Sequence, residues 1–190
     1  MNNIRVLKLQ ITYIVALLST ILTLCLTYTF FGKQNGSEIT LTMLLIAVIC
    51  WSTILYSSIK TKQMVKKIVS TIYNETNPSD IVSIYNWLTG RYFGINKNTG
   101  DILIIALNMK GQQIFGFDYQ SWSGYEIYGN KLTLKFNNLD MPYFVINDVE
   151  APKFKHKLDV FLSNVFQHSV TPNAKFSSIV ENKMKVASLI

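Results

Sequence analysis

Two long stretches of this chain carry no ionisable side chain at all. Ile11–Phe31 and Ile39–Ile59 are each 21 residues of apolar and hydroxyl side chains, separated by the polar heptapeptide Gly32-Lys-Gln-Asn-Gly-Ser-Glu38. At a rise of 1.5 Å per residue each run is about 31 Å long as a helix, close to a hydrocarbon core of about 30 Å. A buried core helix gives a similar signature. Two such runs in 190 residues, however, leave too little chain to wrap them both. The first run is too long for the apolar part of a cleaved leader and lacks a small-residue cleavage site. The expectation is a transmembrane helical hairpin over residues 1–59, with spans at 11–31 and 39–59.

Charge placement gives the hairpin a direction. Arg5 and Lys8 precede the first span; Lys60, Lys62, Lys66 and Lys67 follow the second; the connecting loop has only Lys33, beside Glu38. By the positive-inside rule both termini lie in the cytoplasm. Tyr13, Tyr28, Phe30, Phe31 and Tyr56 fall near the span ends, where aromatic rings favour the interface. The lysines Lys60, Lys62, Lys66 and Lys67 fit a membrane-surface role, each worth about 1 kcal/mol against an anionic leaflet. Topology alone explains them equally well.

Thr20, Thr23 and Thr27 follow i, i+3, i+7 and share a face of the first span. That stripe fits helix-on-helix packing better than the lining of a pore, and a homo-oligomer is among the assemblies it suits. Neither span holds a charge of the kind that proton relays and coupled transporters use. Cys25 and Cys50, the only cysteines, read as small packing residues rather than a disulfide framework.

Beyond the second span, Val65, Ile68, Val69 and Ile72 repeat at helical spacing between lysines. Residues 60–77 therefore read as a basic juxtamembrane stalk, helical to about Thr76 and broken by Asn77-Pro-Ser-Asp80. From there the period changes from helical to alternating. Strands are expected at 81–85, 91–95, 101–107, 113–117, 125–128, 131–136 and 142–146, with Gly129-Asn130 as a two-residue hairpin turn. In Lys131-Leu-Thr-Leu-Lys-Phe136 the apolar side chains strictly alternate, so one face is buried and one is wet. A helix then closes the region: Pro152 suits its first turn, and Phe154, Leu158, Phe161, Leu162, Val165 and Phe166 form one stripe. The fold class is a membrane-anchored α+β protein, in which a small barrel or sandwich of about seven strands is closed by an amphipathic helix. Residues 78–168 form the cytoplasmic domain, expected to fold alone, and 169–190 a tail or short helix.

Catalytic signatures are sparse. His156 and His168 stand 12 residues apart without carboxylates at ligand spacing, the glycines fit no phosphate-binding loop, and Ser121 and Ser123 lack the turn that exposes a nucleophile. Asp118 and Glu126 read as solvated turn carboxylates rather than an acid–base couple. The reading is of no enzyme, no cofactor and no metal. Residues 60–190 carry 15 Lys and Arg against 10 acids, but no basic strip interleaved with stacking rings, so lipid rather than nucleic acid is the expected counterpart. The candidate partner-binding residues are Tyr119, Trp122, Tyr125 and Tyr128, clustered around Ser123-Gly124, and Asn138 and Asp140 in a turn. For the rings, a core role is the stronger reading.

Seven strands followed by one helix is the order of a pleckstrin-homology-like domain. Phe93-Gly-Ile-Asn96, Phe117-Asp-Tyr-Gln-Ser-Trp122 and Asn138-Leu-Asp-Met-Pro142 make the resemblance more specific. The chain resembles a bacterial pleckstrin-homology-like family with an N-terminal two-helix anchor, which includes entry (surface) exclusion proteins of I-type conjugative plasmids. The resemblance implies a bacterial inner-membrane protein with its domain in the cytoplasm. It also implies a function in blocking redundant plasmid transfer, with a component of the conjugative transfer apparatus as protein partner. The alternative is similarity to two-span, β-rich membrane effectors of cyclic-oligonucleotide anti-phage immunity, whose barrel binds a nucleotide. A closing helix separates the two, because the effector barrel closes by strands alone.

Overall fold

The computed structural model describes residues 3–30, 37–74, 76–108, 111–162 and 176–186, and the chain divides into two compact units, Met1–Lys62 and Gln63–Ile190. Two helices dominate the first unit: α1 (Asn3–Phe30) and α2 (Ser37–Ile72), which continues into the second. Both are long and apolar enough to cross a membrane. Their contact is built on small side chains, with Ala16, Ser19 and Ala47 buried, and on Tyr13 meeting Trp51 edge to face at 5.8 Å. Thr20 and Thr23 are half-buried beside that contact, Thr27 is exposed, and each hydroxyl donates to a carbonyl of its own helix. This satisfies the polar atoms internally, as an apolar surround requires.

In the second unit, seven strands form two antiparallel sheets. One has the order β1 (Ile81–Asn86), β2 (Arg91–Asn96), β3 (Ile102–Asn108), β4 (Gly111–Phe117); the other has β5 (Trp122–Tyr128), β6 (Lys131–Phe136), β7 (Tyr143–Asn147). Helix α3 (Ala151–Leu162) follows β7, and α4 (Phe176–Val186) completes the described chain. The layout is an open, sandwich-like α+β arrangement. Six of the expected strands lie within two residues of the observed ones, whereas β5 starts at Trp122, three residues before the expected 125–128; in strands such as β6, alternation fixes which face is buried. Leu132, Leu134 and Phe136 of β6 are buried while Lys131 is exposed. Gly129 turns at φ 57°, a left-handed conformation that glycine adopts without a Cβ clash, and Tyr128 pairs with Lys131 across it.

Two cores result, one on each face of the four-stranded sheet. Between the sheets, Phe93, Ile95, Ile102 and Ile104 pack with Leu132, Leu134 and Ile146, and α3 closes the layer with Phe154, Leu158 and Phe161. Val165 and Phe166 of the expected stripe lie outside the described residues. On the outer face, Tyr92, Leu103, Ile105 and Leu107 are covered by Val65, Ile68 and Ile72 of α2 and by Phe176, Val180 and Met184 of α4. The compact unit is thus wider than residues 78–168. The apolar stripe of the stalk is one wall of a protein core, and residues 176–186 of the expected tail form a docked helix. Helix α2 ends at Ile72, short of Thr76, and the ammonium of Lys183 donates to the Ile72 carbonyl (2.9 Å) and Asn74 Oδ1 (2.7 Å) there. A cation over terminal carbonyls caps the helix.

Candidate functional site

The sequence candidates separate into three groups. Tyr119, Trp122 and Tyr125 are half-buried and join the inter-sheet core. Trp122 lies 6.1 Å from Phe93, 6.2 Å from Tyr119 and 6.4 Å from Tyr125 between ring centres, and Tyr119 meets Phe161 of α3 at 5.8 Å. The bulge between Trp122 and Gly124 makes this possible: Gly124 sits at φ 134°, and its carbonyl accepts the indole N–H of Trp122 at 2.6 Å. The Tyr125 hydroxyl donates to Asp159 of α3, and its pKa is pushed up to about 12, first by burial and then by that carboxylate. Tyr119 and Tyr125 fasten this segment to α3, with Trp122 packed against both. Their edges remain partly accessible, but their placement is that of core aromatics.

Tyr128 is different. It is 88% exposed, at the β5–β6 turn. Asn138 and Asp140 lie in the β6–β7 turn, at the opposite end of the same sheet. There Asn138 Oδ1 accepts the backbone N–H of Asp140 (2.8 Å) and of Met141 (3.1 Å). Asn138 therefore shapes the turn, and Leu139 at its tip is fully exposed. The six candidates do not form one site.

Lys60, Lys62, Lys66 and Lys67 are all exposed. Lys60 rests over the Tyr56 ring at 5.9 Å, while Lys66 and Lys67 face away from buried Val65 and Ile68. The two carboxylates weighed as a pair have separate partners. Asp118 accepts the backbone N–H of Phe176 at 3.1 Å, at the start of α4, and Glu126 pairs with Lys135. Among the described residues no three His, Cys, Asp or Glu side chains converge on a metal-sized site.

Polar side chains join the sheets at the turn end. Asn86 Nδ2 donates to Asn147 O (2.7 Å) and Asp148 Oδ2 (3.0 Å), and half-buried Arg91 donates to Val145 O while its guanidinium lies 5.3 Å from the Phe144 ring centre. Burial lowers the Arg91 pKa below its ordinary value. Next to this seam stand two exposed apolar residues that the sequence reading passed over, Trp87 in the β1–β2 turn and Val149 before α3. A tryptophan inside Asn86-Trp-Leu-Thr-Gly90 was the available signal, because tight turns favour small polar residues. Comparison with family models, with curated proteins and with solved structures found no match for this chain.

Proposed function

We propose that the protein is a non-enzymatic, membrane-anchored interaction protein, its two apolar helices forming an N-in, C-in hairpin and its second unit a pleckstrin-homology-like domain at the cytoplasmic face. The most specific form of this reading is plasmid entry exclusion. The observation that carries it is the strand plan: four antiparallel strands, then three, then a helix whose Phe154, Leu158 and Phe161 close the space between the sheets. That closing helix favours a pleckstrin-like domain over an effector barrel closed by strands alone. The separate partners of Asp118 and Glu126 support a binding role over acid–base chemistry.

The test is a mating experiment. Recipient cells making the protein should take up a plasmid of the same transfer type poorly, and unrelated plasmids normally. Equal transfer into expressing and non-expressing recipients would overturn the exclusion reading and favour the nucleotide-gated effector, where an added cyclic oligonucleotide should depolarise the membrane.

A further inference from the structure

We propose that the second unit docks on an anionic lipid surface by one end, through Trp87, Tyr128 and Val149 with Lys131 beside them. The proposal rests on the membrane-anchored reading of the hairpin.

The β1–β2 and β5–β6 turns and the β7–α3 connection share that end. Asn86 bonds to Asn147 and Asp148, and the Asp148 N–H donates to Asn130 O at 2.8 Å, so the three segments are tied together. Trp87 is 41% exposed, Val149 75% and Tyr128 88%, one apolar side chain from each segment. Tryptophan and tyrosine are the side chains that favour the headgroup region, with an apolar ring and a polar edge.

The chain also enters the unit at this end. Gln112 of β4 donates to Met64 Sδ at 3.4 Å, and Gln112 pairs with Leu107 near the β3–β4 turn. The last turn of α2 lies at the other end, where the Tyr73 hydroxyl donates to Asp101 O at 2.9 Å. The residues just before and after the entry point include Lys60, Lys62, Lys66 and Lys67.

Charge is polarised in the same sense. Asp80, Asp101, Asp118 and Asp140 lie at or beside strand ends of the far side, away from Trp87 and Tyr128. At the near end Lys131 is exposed, Glu150 pairs with Lys153 at 3.3 Å, and Asp148 accepts from Asn86 and from the Glu150 N–H. An anionic surface therefore meets Lys131, the Lys153–Glu150 pair and the Asp148 carboxylate at one end, and four aspartates against Lys97 and Lys183 at the other.

The experiment uses the full chain with Cys25 and Cys50 replaced by alanine and single cysteines introduced as Tyr128→Cys, Leu139→Cys or Leu45→Cys. Each is labelled with the fluorophore NBD and reconstituted into phosphatidylcholine–phosphatidylglycerol vesicles containing spin-labelled lipid. The proposal expects loss of emission at 128 and at 45 but not at 139, and recovery at 128 when Trp87→Ser and Lys131→Glu are added. Quenching at 45 with 128 and 139 alike would overturn the docking while leaving the hairpin in lipid, and the exposed end would then fit a protein partner. No quenching at 45 would overturn the anchored reading and the docking with it.

Discussion

Tyr125 shows how one side chain records its surroundings. Its ring packs against Trp122, its hydroxyl donates to Asp159, and its pKa is raised to about 12. Tyr92, buried under α2 and α4, is likewise raised to about 12, chiefly by burial, and buried Tyr73 is raised well above its ordinary value. The native state thus keeps phenolic protons that the unfolded chain releases near pH 10. Between about pH 10 and pH 12 the unfolded state binds fewer protons, so stability is intact below that window and falls as pH rises through it. Denaturant midpoints of the full chain in detergent should drop on going from about pH 9 to about pH 11. Tyr125→Phe should cost about 1 kcal/mol at neutral pH by losing one hydrogen bond. It should also make the alkaline decline shallower, without removing the share owed to Tyr92. An unchanged alkaline slope in the variant would show that Tyr125 does not carry this linkage.

At the scale of elements, α4 depends on a gap in β4. A Cβ on Gly116 would stand 2.6 Å from Val180 Cγ2 and 3.1 Å from the Phe176 carbonyl, so the helix seats only because residue 116 has no side chain. Gly116→Val should overpack this contact, cost about 1–3 kcal/mol and leave α4 open to protease, while α3 keeps its protection. Equal protection of both helices would refute the seating. The strands and α3 were legible because their patterns are local: period two in Lys131–Phe136, and spacing of four in Phe154, Leu158 and, at the next turn, Phe161. Helix α4 has the same kind of spacing in Phe176, Val180 and Met184, but in only 11 residues. So short a stripe names no partner. The clue to that partner lay elsewhere, in the unbroken Ile102-Leu-Ile-Ile-Ala-Leu107: a strand apolar at both parities must be covered on both faces. The candidate rings were less legible than the strands. Spacing brought Tyr119, Trp122, Tyr125 and Tyr128 together, whereas the bulge at Gly124 and the reach of α3 decide which of them are enclosed.

For the molecule as a whole, the two-faced sheet decides where the chain can be cut. A fragment covering residues 63–190 retains both cores, because Val65, Ile68 and Ile72 and the α4 stripe all fall within it. A fragment covering 78–168 retains the inter-sheet core but uncovers Tyr92, Leu103, Ile105 and Leu107, a contiguous apolar face on strands that are already extended and paired. Such a face invites association through the hydrophobic effect. It also loses the hydroxyl of Tyr73 from Asp101 O and the Asp118 cap on α4. The expectation is that 63–190 is monomeric and unfolds in a single cooperative transition, whereas 78–168 aggregates or melts without cooperativity. Light scattering and thermal unfolding of the two fragments, made without the first unit, check this directly. If 78–168 were monomeric with the same transition as 63–190, the helices on the outer face would add nothing to the fold, and the stalk would revert to a tether. If instead 63–190 also aggregated, the second unit would need its hairpin to fold. Cooperative unfolding of 63–190 alone would mean that the part of α2 from Gln63 onward belongs to the domain, its Val65, Ile68 and Ile72 serving as core residues of the sheet rather than as a tether.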